Sequence, residues 1–196
     1  MTDASSNQAG NDTMDNPHKR KKQPEQVRRA LLDAAAKLAV EEGLSAVTVQ
    51  AVSDAAGVTK GGLMHHFPSK QTLVEAVLHD LLDQFDAEID AVMAKDPVAH
   101  GRFTRAYVEV GLKALSDGRA GDYAALYIAL LSEPELGRIC AERFAKYHAI
   151  DDDPMLEVVR LAADGAWLAV LDRPANMPPL DLAALRDRLI AMTRTT

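Results

Sequence analysis

A hydroxyl, a cation and two residues without side chains stand in a row at Thr59, Lys60, Gly61 and Gly62, directly after Gly57 and Val58. At the start of a helix this run offers a hydrogen-bonding group and a charge for phosphates or base edges, and two positions where a backbone can approach closely. The free amides of such a helix start favour phosphate too. Upstream, Lys19-Arg20-Lys21-Lys22 with Arg28 and Arg29 supplies cations for a polyanion. Patterns for enzymatic chemistry are missing: the sequence holds no Gly-x-Ser-x-Gly elbow, no phosphate loop after a strand, no His-Glu-x-x-His and no helical Glu-x-x-His pair. The single cysteine, Cys140, excludes an intrachain disulfide, and the six histidines are scattered without metal-ligand spacing. We therefore expect no catalytic residue, no metal and no cofactor.

The elements that must hold these groups are helices. Val27, Leu31, Ala34, Ala35, Leu38 and Ala39 recur at helical spacing between Pro24 and Gly43, which predicts a first helix starting at Pro24. Thr48 caps a short second helix that Gly57 stops, and Thr59 opens a third that Pro68 ends. Gly57 in the left-handed conformation lets the chain reverse, and Val58 plugs the angle between the two helices. That is helix-turn-helix geometry, with the second of the pair presented to a major groove. It is also the geometry of an ordinary αα-hairpin, and spacing alone leaves both open. Ser69 caps a long fourth helix with Leu73, Val77, Leu81, Phe85, Ile89 and Val92 or Met93 on one face. Further helices are predicted over 97–116, 122–131, 133–150, 154–171 and 180–193. The fold class is all-α, with about nine helices.

Composition and charge agree with a soluble helical protein. Of 196 residues 47% are hydrophobic, with only four Phe, four Tyr and one Trp, which points away from an all-β sandwich. The longest apolar run, 124–131, is far short of the roughly 20 residues that cross a bilayer. No apolar segment follows the polar first residues, so no secretion signal is expected and the protein is placed in the cytoplasm, with the Asn11-Asp12-Thr13 sequon incidental. The net charge of -7 hides a segregation: residues 17–70 hold nine Lys and Arg against five Asp and Glu, and the rest of the chain is acidic. One basic segment on an acidic protein fits a local polyanion contact or a solvated tail. Residues 1–23 are read as a disordered basic arm, 24–68 as the helix-turn-helix domain and 69–196 as an effector-binding and dimerisation domain.

The run Ala51-Val52-Ser53-Asp54-Ala55-Ala56-Gly57-Val58-Thr59-Lys60-Gly61-Gly62-Leu63-Met64-His65-His66-Phe67-Pro68-Ser69-Lys70 resembles the DNA-binding signature of the TetR family of bacterial transcriptional regulators. Ala30-Leu31-Leu32-Asp33-Ala34-Ala35 and Glu42-Gly43-Leu44-Ser45-Ala46-Val47-Thr48-Val49 are similar to that family's first helix and its link to the second. The resemblance covers about residues 25–75. It implies a homodimer whose two heads dock in successive major grooves of a palindromic double-stranded DNA operator. By the same resemblance Thr48 and Gln50 touch backbone or base, Thr59, Lys60, Gly61 and Gly62 face bases, and His65 and Lys70 reach phosphates. The family usually carries an aromatic where Met64 stands and often another at His65. Met64 offers only apolar contact, so readout rests on few side chains and on DNA shape. In this setting Lys19, Arg20, Lys21 and Lys22, with Arg28, add affinity through counterion release. His66 and Phe67 are expected to pack inward.

Residues 75–196 resemble the family's effector domain, and Val158-Val159-Arg160-Leu161-Ala162-Ala163-Asp164-Gly165-Ala166-Trp167 looks most like the branch that includes multidrug-responsive repressors of efflux genes. The last two helices carry broad apolar faces that in this family pair with their mates. A ligand pocket needs aromatic walls and a few polar anchors. Candidates are Met93, Phe103, Tyr107, Tyr123, Tyr127, Phe144, Tyr147 and Trp167, with Asp164 as an anchor; Cys140, Glu109, His100 and His148 are further possibilities. An acid among aromatic faces suits a lipophilic cation. The expected function is a ligand-responsive repressor that a small hydrophobic or cationic molecule releases from its operator. Two alternatives stand beside it: a dimeric helical protein-binding adaptor, and a TetR-like regulator without a small-molecule effector.

Overall fold

The computed structural model describes residues 17–117, 133–171 and 176–194, and its regular elements there are all helical. They are α1 (Pro17–Glu42), α2 (Val49–Ala56), α3 (Lys60–His66), α4 (Lys70–Met93), α5 (Arg102–Ser116), α6 (Pro134–His148), α7 (Pro154–Leu171) and α8 (Leu182–Met192), with a 3-10 turn at Leu44–Ala46. The all-α expectation holds, with eight α-helices among the described residues; the helix expected over 122–131 lies outside them.

Three starts follow from side-chain caps at the residues the sequence marks. Thr48, Thr59 and Ser69 accept from the amides of Ala51, Gly62 and Thr72, each at 3.1 Å. Two starts differ from expectation. α1 begins at Pro17 and carries Pro24 inside it. An internal proline removes one helical hydrogen bond, but the Lys, Arg and Gln residues before it are good helix formers that continue the helix backwards. α5 begins at Arg102 rather than at 97, because the Asp96 carboxylate accepts from the Val98 amide at 2.9 Å and Gly101 turns the chain at φ +66°.

Burial is organised around two clusters. The first joins Leu31, Leu32 and Ala35 of α1, Val52 of α2, Leu63 of α3 and Phe67 to Leu73, Val74, Val77, Leu78 and Leu82 of α4 and to Leu136 and Cys140 of α6. The second holds Ile89 of α4, Phe103, Tyr107, Val108 and Leu112 of α5, Tyr147 of α6, Val159 and Ala163 of α7 and Leu189 of α8. The buried face of α4 is broader than its predicted stripe, since Val74, Leu78 and Leu82 are buried as well. A helix packed on both sides needs apolar residues on both.

The end of the second cluster away from α1–α3 is tied by polar groups. The buried Arg105 guanidinium donates to Asp96 Oδ2 at 2.6 Å and to the carbonyls of Val98 and His100. Arg160, also buried, donates to Thr104 Oγ1 and to the Asp151 carbonyl, while the Asp151 carboxylate accepts from the amide and hydroxyl of Thr104. Gly101 lies beneath this lattice. A Cβ there would stand 3.1 Å from Arg105 Nη1 and 3.2 Å from Leu156 Cδ2, in a backbone conformation that costs L-residues about 1–2 kcal/mol. Gly101→Ala is expected to lower unfolding stability by at least that amount, measured by denaturant titration at fixed protein concentration.

Candidate functional site

The turn between α2 and α3 is built as its residues demand. Gly57 adopts φ +65°, its amide donates to the carbonyls of Asp54 and Ser53, and the Val58 amide donates to Ser53 at 2.9 Å. Ser53 is buried and its hydroxyl donates to the Val49 carbonyl, so a polar side chain sits inside α2 without an unmet bond. α3 buries Leu63 and turns Lys60, Gly61, Met64 and His65 to solvent. Half-buried Val58 packs against the first cluster and fixes the angle between the helices.

The two glycines differ. A Cβ on Gly61 would meet nothing within 4 Å, whereas one on Gly62 would lie 2.9 Å from Val58 Cγ1 and 3.3 Å from Thr59 Oγ1. Gly62 answers to the packing of the turn. Nothing within 4 Å inside the protein requires Gly61 to lack a side chain.

Several expected contact residues already hold internal partners. The hydroxyl oxygens of Thr48 and Thr59 accept cap bonds and keep a proton to donate outward. Gln50 donates its amide to the Asp54 carboxylate at 2.8 and 2.9 Å, which leaves its carbonyl oxygen facing away as an acceptor. Lys70 donates to the Leu44 carbonyl at 3.1 Å, tying the start of α4 to the 3-10 turn. The Arg28 guanidinium lies 5.3 Å from the Phe67 ring centre. Arg29 is engaged by Asp33 and Asp80, whose bonds raise its already high pKa. Phe67 is buried and His66 half-buried, its ring beside those of His65 and Phe67. The side chains of Lys19, Arg20, Lys21 and Lys22 lie outside the described residues.

A second constellation lies in the other cluster. The rings of Phe85, Phe103, Tyr107, Phe144 and Tyr147 gather with centroids 5.4–6.5 Å apart. Met93 and Trp167 pack against the same cluster, and Trp167 Nε1 lies 3.6 Å from where a Cβ on Gly111 would stand. Tyr107 donates to Asp164 at 2.5 Å, which carries an acid from α7 to the aromatic rings. Tyr147 donates to Asp86; burial and this bond both push its phenol pKa up. Phe85 and Asp86 are the residues sequence reasoning missed, because Phe85 reads as one member of a core stripe; their adjacency on α4 is the signal that could have found them. Tyr123 and Tyr127 lie outside the described residues, as does the His148 side chain. Cys140 belongs to the first cluster, with Phe144 packed against the same cluster one turn further along α6. Glu109 pairs with Arg186 and His100 with Asp153 on the outside of the bundle.

α7 has a second apolar face. While Leu156, Val159, Ala163 and Ala166 are buried, Met155, Val158, Leu161 and Leu168 are each about half exposed, with Ala162, Gly165 and Ala169 between them. Among the described residues no helix is long and apolar enough to cross a membrane.

A three-helix head with a glycine-turned helix pair, carried on a larger helical body, is the architecture of a one-component helix-turn-helix regulator. Residues 31–77 match the family described as "Bacterial regulatory proteins, tetR family" and residues 101–194 match "Tetracyclin repressor-like, C-terminal domain"; the chain belongs to the TetR family. The chain is 42% identical over 82 residues to the HTH-type transcriptional repressor KstR2 of Rhodococcus jostii (strain RHA1), a match spanning 42% of this chain and 38% of that one. It is 29% identical over 175 residues to the HTH-type transcriptional regulator BetI of Cronobacter sakazakii, covering 76% of this chain and 83% of BetI. Among solved structures, the multidrug binding protein EbrR complexed with malachite green superposes with a TM-score of 0.65 at 26% identity, over 84% of this chain and 96% of that one.

Proposed function

We propose that the protein is a cytoplasmic, homodimeric, ligand-responsive transcriptional regulator that represses from a palindromic operator and is released by a small lipophilic cation. The observation that carries the DNA reading is the bare, open face at Gly61 on a capped helix, held by the left-handed turn at Gly57. Lys60, Met64 and His65 flank it, and Gln50 contributes an acceptor. The exposed apolar face of α7 supports pairing with a second copy, which places two copies of α3 side by side for successive grooves. For the effector, Tyr107 and Asp164 join an acid to the rings of Phe85, Phe103 and Tyr147, chemistry that receives a desolvated cation. Malachite green, the ligand of EbrR, is a cation of this kind.

The test is titration of fluorescent duplex from the protein's own upstream region at two salt concentrations, with excess unrelated DNA and with or without malachite green. The expected result is dyad-symmetric protection that survives the competitor, weakens with salt through phosphate contacts, and is lost when the dye is added. Selective binding that the dye leaves unchanged would remove the cationic effector; binding abolished by the competitor would remove the operator on this DNA.

A further inference from the structure

Among the described helices, α4 and α6 alone place residues in both buried clusters. α4 does so through Leu73 to Leu82 and then Ile89, and α6 through Leu136 and Cys140 and then Tyr147, with Phe144 packed against both clusters. Among the described helices, this pair links the aromatic rings to the cluster that holds α3. At the seam between the clusters the two helices are joined by charge. Arg143 of α6 donates to Asp83 at 2.8 Å and to Asp86, and Asp86 also accepts the Tyr147 hydroxyl. One turn earlier on α4, Asp80 accepts both bonds from Arg29 Nη1, at 2.6 and 2.8 Å, and a third from Gln84 at 2.7 Å.

Asp80, Asp83 and Asp86 are three residues apart. Each step rotates about 60° around a helix, so the ladder turns about 120° over about 9 Å, from the side facing α1 to the side facing α6. Aliphatic contacts along a two-sided helix resist separation but tolerate sliding. A guanidinium bridging two carboxylates fixes translation and rotation together.

Resting on the function proposed above, we propose that Arg143 is the positioning residue that couples the aromatic cluster to the DNA-reading head, by locking α6 to α4 at Asp83 and Asp86. An occupant that moves the Tyr147 ring withdraws its hydroxyl from Asp86 and shifts the Arg143 bridge. α4 then moves against α6, and the Arg29–Asp80 link carries the displacement into α1. Arg143 does not touch the occupant.

The experiment uses the full-length protein with malachite green as probe and compares wild type with Arg143→Gln and Arg143→Lys. Dye affinity is expected to stay within about threefold, a change too small to signal a lost contact. The loss of operator affinity caused by the dye, about 5–150-fold for coupled sites, is expected to fall below about threefold in Arg143→Gln and to recover partly in Arg143→Lys. Release by Arg143→Gln equal to wild type would overturn the proposal while leaving the cationic effector intact. Should Arg143→Gln melt early, Asp83→Asn, at an exposed carboxylate, carries the same comparison. If wild type finds no operator or ignores the dye, the preceding proposal has failed, and amide exchange over residues 44–70 in dye-free protein decides this one. Faster exchange in Arg143→Gln and in Asp80→Asn, with the double variant no faster than either, upholds the coupling; wild-type exchange in Arg143→Gln overturns it.

Discussion

Gly61→Ala is expected to make the protein more stable and a poorer binder of its operator. A Cβ at this position meets nothing within 4 Å, and the residue sits in a helix at negative φ. Alanine there recovers roughly 0.5–1 kcal/mol of helix propensity. The same methyl group projects from the face proposed to close on base edges, and the expected loss of affinity is at least about tenfold, or roughly 1.4 kcal/mol. Gly62→Ala behaves differently: its Cβ collides with Val58 Cγ1, so Val58 must move and stability falls together with binding. Thermal melts at fixed concentration and operator titrations on both variants separate the cases. Equal operator affinity for Gly61→Ala and wild type would show that this face does not meet DNA.

The second large effect is at the opposite end of the chain's fold. Asp96→Ala leaves the buried Arg105 guanidinium with only uncharged partners, the carbonyls of Val98 and His100 and the Thr193 hydroxyl, and is expected to cost about 3 kcal/mol. The wild-type interaction is itself pH-dependent. Bonds from Arg105 and from the Val98 amide hold the Asp96 carboxyl below its ordinary 3.8. A carboxyl depressed in the folded state stabilises it fully above the unfolded value and loses that contribution as pH falls through the lower folded value. The gap between wild type and Asp96→Ala is therefore expected to be complete at neutral pH and to narrow below pH 3.8, measured by denaturant titration at both.

What the sequence made legible was local. Thr48, Thr59 and Ser69 announce helix starts because a side-chain oxygen three residues before an open amide needs no distant partner, and Gly57 announces the turn for the same reason. The reversal at Gly101 has no local mark: its neighbours Arg105 and Leu156 reach it only through tertiary packing, so the local pattern fits a start at Pro97 equally well. The internal position of Pro24 was misleading in the other direction, because one missing hydrogen bond does not end a helix whose flanks favour it. The aromatic candidates Phe103, Tyr107 and Tyr147 could be picked by type, but their meeting with Asp164 and Asp86 depends on which faces of α4, α5, α6 and α7 turn toward one another. Lys70 and Arg29 show the same limit, since a cation that looks free in the sequence can be committed to a carbonyl or carboxylate many residues away.

The shared cores bear on whether the reading head is a module that can be moved elsewhere. Leu31, Leu63 and Phe67 are sealed on one side by Leu73, Val77 and Leu78, and their cluster extends to Leu136 and Cys140, all beyond residue 68. A chain cut after Pro68 would take the reading helix and leave behind a large part of the wall that keeps it folded. Grafting the head onto another sensor therefore means transplanting much of α4 and a surrogate for α6, and a chimera joined at the apparent domain boundary begins with an open core.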